Sequence, residues 1–258
     1  MHETLFDYAT LCASAVVGGA VNSVAGGGTL LTFPALFAVL GAEAAVVANA
    51  TSTVALFPGS LAATWGYRRE LAGARRWIAL LIGPSLLGGL FGSLLLVMLP
   101  DRSFNALVPW LILAAAVLFA GQPTIARWTG VGQSHAPPTS WKAAGVVAFQ
   151  FLVAVYGGYF GAGIGILMLS ALAMIGLSDI HRMNGLKTVF AAAINGVSVV
   201  VFMVRGKVDW RYAPAMIVAA IVGGYLGARV ARRLDRNLVR RAVVVIGFAL
   251  AAWYFVRG

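Results

Sequence analysis

Two sets of polar side chains recur at helical spacing within otherwise apolar sequence. Asn184, Lys187, Thr188, Asn195 and Ser198 fall at i, i+3, i+4, i+11 and i+14, which draws one stripe down one face of a helix. Asn49, Ser52, Thr53, Ser60 and Thr64 follow a similar spacing in the first half of the chain. A glycine-rich turn precedes each set. One is Gly26, Gly27, Gly28 and Thr29 in NSVAGGGTLL (22–31), and the other is Gly161, Gly163 and Gly165 in YFGAGIGILM (159–168). Amides, hydroxyls, one ammonium and exposed backbone N–H groups can hold an anion. They do not make a nucleophile with its base, and no His/Asp/Glu or Cys/His constellation for catalysis is found. His2, His135 and His181 are scattered without metal-ligand spacing, and Cys12 is single, so neither a metal nor a cofactor is expected. The reading is a binding and transport site, not an enzyme.

Lys187 is the least expected member. A lysine deep in a membrane helix costs roughly 2.5–3.5 kcal/mol on insertion scales, and such residues mark a pathway or a partner. It lies about 9 Å along the helix from His181 at 1.5 Å per residue, so snorkelling to the cytoplasmic surface is the competing explanation. No long apolar run contains an Asp or Glu; Glu43 and Asp179 fall in loops. A cavity with one cation, helix N-termini, hydroxyls and amides suits an anion.

The glycines set the elements that would carry these groups. Glycine inside a helix costs about 1 kcal/mol relative to alanine, yet both turns interrupt long apolar runs. The segment after the first turn, Thr29–Leu40, would rise only about 18 Å, too short for a core about 30 Å thick. Ile164–Ile175 is equally short. Both read as half-helices, re-entrant or discontinuous, that begin inside the protein. Broken backbone at that depth persists only where it is buried in protein or lines a polar cavity, and its N–H groups and helix dipole favour an anion. The other reading of such glycines is close helix packing, which also suits Gly88–Gly92 and Gly223–Gly227.

Composition gives the class. The chain of 258 residues is 60% hydrophobic and 10% charged, against about 45–50% and 25% for soluble domains. Long uncharged runs recur, among them Ala44–Tyr67, Trp77–Pro100 and Ser103–Ala126, several of them beyond the ~20 residues that cross a bilayer. The expected fold is an all-α polytopic membrane protein; the short alternating strands of a β-barrel are not found. The start, MHETLFDYAT, is acidic and lacks the basic region of a cleavable signal peptide, so the first segment reads as retained.

The net charge of +11 reports orientation. Thirteen of the nineteen Lys and Arg residues crowd loops on one side, including Arg68, Arg69, Arg75, Arg76 and the run from Arg229 to Arg241. Five fall in the opposite loops, and Lys187 completes the set. That asymmetry is the positive-inside pattern, with both termini outside, and it gives no support to nucleic-acid binding.

The polar stretch Gly121–Lys142 divides the chain. A shift of 135 residues superposes GGLFG (Gly88–Gly92) on GGYLG (Gly223–Gly227) and pairs Gly26 with Gly161, Gly28 with Gly163, Asn49 with Asn184 and Thr53 with Thr188. The basic loops fall between the third and fourth segments of one half and the fourth and fifth of the other. Equivalent helices therefore cross in opposite senses. The reading is a first repeat at 1–120, a cytoplasmic linker at 121–142 and an inverted repeat at 143–258, about five segments each, as in many secondary transporters. The GGLFG and GGYLG faces pack either within a subunit or between two in a homodimer.

AGGGTLLTFP followed by ANATS, with GAGIGILM followed by MNGLKT, resembles the sulfite exporter TauE/SafE family, grouped with toluene-sulfonate uptake permeases. The resemblance covers nearly the whole chain, and its strength lies in the order and duplication of the motifs. It implies a bacterial inner-membrane permease for small sulfur-containing or organic anions such as sulfite, sulfonates or sulfoacetate. It puts the family's two glycine turns on Gly26–Gly28 and Gly161–Gly165. Pro34 fits the proline after the first turn, while Leu169, Ser170 and Ala171 offer none after the second, and Lys187 departs from the hydroxyl-rich second motif. The expected partners are a small anionic substrate and the lipid bilayer. The alternative function is a channel or facilitator for a small neutral solute.

Overall fold

The computed structural model describes residues 4–129, 140–230 and 236–257. They form α1 (Leu5–Ala25), α2 (Thr29–Leu40), α3 (Ala45–Gly66), α4 (Arg75–Met98), α5 (Asp101–Trp128), α6 (Ser140–Tyr159), α7 (Ile164–Met174), α8 (Ile180–Val204), α9 (Ala213–Val230) and α10 (Arg236–Arg257). One 3-10 turn at Ala42–Ala44 joins α2 to α3. Five stretches are long and apolar enough to cross a membrane: Leu5–Asn22, Ala42–Gly66, Arg75–Met98, Asp101–Trp128 and Ile180–Val204. The remaining helices contribute shorter apolar stretches. The protein is therefore an all-helical, multi-pass membrane protein.

Local chemistry sets several helix ends. Thr4 and Asp7 form a reciprocal capping box at α1, with the Asp7 N–H donating to Thr4 Oγ1 at 3.2 Å and the Thr4 N–H donating to Asp7 Oδ2 at 3.0 Å. Asp179 caps α8 by accepting from the N–H groups of His181 and Arg182. Asp101, in the first turn of α5, accepts from the Val46 N–H at 3.0 Å, which ties the start of α5 to the start of α3.

Helix pairing is reciprocal. α1 packs on α9 and α6 on α4, α3 packs on α9 and α8 on α4, while α3 meets α8 and α5 meets α10. Under the 135-residue shift each of these pairs maps onto another pair or onto itself. A methyl group on Gly223 would strike the Val16 carbonyl, and one on Gly88 would strike the Phe151 carbonyl; both residue pairs are related by the same shift. Gly92 meets the Val155 carbonyl and Gly158 meets that of Gly89 with the same intimacy. Gly88, Gly89, Gly92 and Gly223 thus seat helices against one another within one chain.

α3 and α8 run antiparallel. Phe57 lies against Gly196, while Tyr67 and Leu71 lie against Gly185. At the other end of α3 the Asp209 N–H donates to Thr51 Oγ1 at 2.9 Å.

Both ends of the polar stretch Gly121–Lys142 are helical. α5 continues through Gly121–Trp128, and α6 begins at Ser140. Ile125 packs against the core, Thr129 closes the helix by bonding the Ile125 carbonyl, and Arg127 lies in the last turn, where a cation favours the dipole. A polar stretch with an apolar residue at the right period extends the helix. Residues 130–139 lie outside the described residues, as do His2, His135, Arg232 and Arg233.

Candidate functional site: two facing glycine turns

α1 ends at Ala25, and Gly26 reverses the chain with φ 73° while its N–H donates to the Asn22 carbonyl. At the second turn α6 ends at Tyr159, and Gly163 adopts φ 78° just before α7. A side chain in that left-handed region costs roughly 1–2 kcal/mol, which explains glycine at both places. Gly28 also packs so closely on the Gly18 backbone of α1 that a β-carbon would overlap it.

The two turns meet. A methyl group on Gly26 would lie 3.7 Å from the Gly165 Cα, and one on Gly161 would lie 3.9 Å from Thr29 Oγ1. Phe119 of α5, fully buried, lies against both Gly27 and Gly163. Among the described residues, the backbone N–H groups of Gly27, Gly28 and Thr29 in the first turn are given no backbone acceptor, nor are those of Ala162, Gly163, Ile164 and Gly165 in the second. These residues are buried, whereas buried N–H groups in proteins are paired in over 90% of cases. Two groups of such donors, each at the start of a helix, come together in one place. That arrangement can hold negative charge.

Five polar side chains come from the helices beside this junction, α2, α3 and α6. Asn49, 1% exposed, donates through Nδ2 to the Tyr159 carbonyl at 3.0 Å, and its Oδ1 has no partner. The Tyr159 hydroxyl is likewise buried without a partner. Thr32 Oγ1 donates to the Gly28 carbonyl at 3.2 Å and lies 2.6 Å from Ser52 Oγ. Either hydroxyl can supply the proton between Thr32 and Ser52. Thr53 donates to the Asn49 carbonyl at 3.0 Å.

The first part of the α8 stripe lies elsewhere. With Phe57 opposite Gly196, Ser52 and Lys187 are separated by about 20 Å along the paired helices. Lys187 is half-buried. Asn184 Nδ2 donates to the Ile180 carbonyl, Thr188 to Gly185 and Ser198 to Ile194, all within α8. Asn195 is half-buried one residue from the Phe57 contact. The structure thus gathers Gly26, Gly27, Gly28, Thr29, Gly161, Gly163, Gly165, Asn49 and Ser52 around one junction. Asn184, Lys187 and Thr188 lie toward the opposite end of the α3–α8 pair.

Thr32, Phe119 and Tyr159 escaped the sequence reading. Thr32 stands three residues after Thr29, a helical-face signal that could have been used. Tyr159 acts through its carbonyl and Phe119 through a contact between halves, and neither leaves a local signature. Outside the spans, Asp209 joins α8 to α9: burial raises its pKa, but the hydrogen bonds and charge of Arg211 outweigh that and hold the carboxylate below its ordinary range.

The chain is a multi-pass helical membrane protein with two short helices, α2 and α7, each preceded by glycines. Residues 11–254 match the sulfite exporter TauE/SafE family, and the chain belongs to it. It is 27% identical over 237 residues to a probable membrane transporter protein of Haemophilus influenzae, covering 92% of this chain and 89% of that one. It is 26% identical over 242 residues to the probable membrane transporter protein YfcA of Escherichia coli, covering 92% and 86%. A third relative, the probable membrane transporter protein YunE of Bacillus subtilis, is 31% identical over 117 residues, covering 43% of this chain and 42% of that one. No solved structure matches the chain.

Proposed function

We propose that the protein is a secondary transporter, working as an exporter, of small sulfur-containing or organic anions such as sulfite, sulfonates or sulfoacetate. The observation that carries this reading is the junction of two buried glycine turns whose N–H groups lack backbone acceptors. An anion held there would lie near midplane, between two re-entrant half-helices, α2 and α7. The reading has two inverted repeats, 1–120 and 143–258, joined on the cytoplasmic side at 121–142. Reciprocal helix pairing and the antiparallel course of α3 and α8 support it. The positive-inside charge pattern supports both termini outside, in a bacterial inner membrane. Lys187, on the inner half of α8 in this topology, is the cation an anion meets on entering from the cytoplasm.

The apolar runs lack Asp and Glu, residues that often serve as proton carriers in pumps and transporters. A univalent anion leaving an inside-negative cell gains about 2.3 kcal/mol per 100 mV, so the membrane potential suffices as driving force.

The test is a thermal-shift panel on the detergent-purified chain with sulfite, thiosulfate, sulfate, sulfoacetate, taurine, small carboxylates and one neutral solute, run beside Lys187→Ala. A ligand at 100 times its Kd stabilises by about 2.7 kcal/mol. An anion that raises the melting temperature of the wild type, and raises it less in Lys187→Ala, supports the reading. A response to the neutral solute alone favours a facilitator.

A further inference from the structure

Asn49 holds a hydrogen-bond acceptor that nothing in the fold uses. Its carboxamide is 1% exposed, and its orientation is determined by chemistry: Nδ2 faces the Tyr159 carbonyl, and a flipped amide would set oxygen against oxygen. Oδ1 is therefore the remaining group, buried and unpartnered. Leaving such a group unmade costs about 1–3 kcal/mol, and native proteins contain few of them.

The neighbouring side chains do not supply the missing donor. The Thr32 and Ser52 hydroxyls bond each other and the Gly28 carbonyl, and the Thr53 proton goes to the backbone carbonyl of Asn49 itself. None of the three bonds Asn49 Oδ1. The unpartnered donors are the Tyr159 hydroxyl and the backbone N–H groups of the turns, one of which begins two residues after Tyr159. A ligand that satisfies both surfaces carries negative oxygen toward the turns and a hydrogen toward Asn49.

We propose that Asn49 is a specificity-determining residue and that the transported species is a hydrogen-bearing oxyanion, its O–H donated to Asn49 Oδ1 while its charged oxygens face the turn N–H groups. This rests on the anion-transport reading and narrows its substrate class: a monoprotonated oxyanion is preferred over one whose oxygens carry no hydrogen. A site that hydrogen-bonds a substrate hydroxyl rejects the analogue lacking it far more strongly than an apolar pocket rejects a missing methylene.

Two isosteric pairs of equal charge test this by calorimetric titration of the full-length purified protein at mildly acid pH. Hydrogen sulfite is compared with methanesulfinate, and hydrogen carbonate with acetate; each pair exchanges a hydroxyl for a methyl group. The expected result is that, in at least one pair, the hydroxyl member binds about 10-fold tighter or more and that Asn49→Ala brings the two members to parity. Affinity for total sulfite also rises as pH falls through the range in which the dianion takes up its proton, while that for methanesulfinate stays level. Equal binding of both members by the wild type overturns the role of Asn49 and leaves the anion reading standing. Binding of no member of either pair, and of no anion in the thermal-shift panel, overturns both. The wild-type comparison decides the matter even where Asn49→Ala does not fold.

Discussion

At the scale of single residues, the glycine turns make the sharpest demands. Gly26→Ala and Gly163→Ala each place a β-carbon in left-handed backbone, which costs roughly 1–2 kcal/mol. The expected outcome is a lower melting temperature in both variants. Gly163→Ala is expected also to weaken anion binding, because relief of the left-handed strain at residue 163 would shift the turn N–H groups beside it. Asp209 predicts a pH dependence. Its depressed pKa contributes stability that is present above the ordinary carboxylate value and is lost as pH falls through the folded one. Melting followed through mildly to strongly acid pH should decline more steeply in the wild type than in Asp209→Asn. The glycines, Asn49 and Ser52 were legible because type and spacing announce them. The partners of Asn49 were not, since a backbone carbonyl such as that of Tyr159 has no residue-type signature and is brought near only by packing.

At the scale of elements, the helix faces rich in glycine determine how closely neighbours approach. Gly92 lies against the Val155 carbonyl and the Tyr159 N–H, so Gly92→Leu forces α4 away from α6 at the level where Asn49 is anchored. Overpacking of this kind costs typically 1–3 kcal/mol. Gly92→Leu is expected to lower the melting temperature and to aggregate on size exclusion, whereas Gly59→Ala, which meets nothing within 4 Å, leaves both unchanged. Helix boundaries were readable where glycines interrupt the apolar runs, as at Gly26–Gly28 before α2 and Gly161–Gly163 before α7. The end of α5 was not, because the polarity of Gly121–Trp128 masks Ile125, whose contact with the core extends the helix.

At the scale of the whole molecule, charge distribution and internal similarity carry the architecture. Both termini outside means that an alkaline phosphatase fused to the C-terminus is active and a green fluorescent protein fused there stays dark; the opposite pair of results reverses the topology. Export driven by potential means that efflux from loaded vesicles responds to a valinomycin-imposed potassium diffusion potential, and an unchanged rate removes that mechanism. The 135-residue shift could be read from the sequence because glycine and asparagine positions recur at it. That Asn49 and Ser52 lie toward the opposite end of the α3–α8 pair from Asn184 and Lys187 was not visible, because helical spacing gives the face of a helix but not its depth against a neighbour running the other way.

The exchange of partners between the halves bears on how the chain is made. α1 rests on α9, and α6 rests on α4, so the first five helices leave the ribosome before the surfaces they need exist. Until α9 arrives, the crowded glycine contacts of α1 face lipid, and the N–H groups at Gly27–Thr29 await a counterpart. Biogenesis is therefore held open to its last helices, and quality control has a long interval in which to act. Two separate polypeptides, 1–129 and 140–258, should accumulate when produced together and be degraded when either is produced alone; survival of the first half by itself would mean that it matures without its complement.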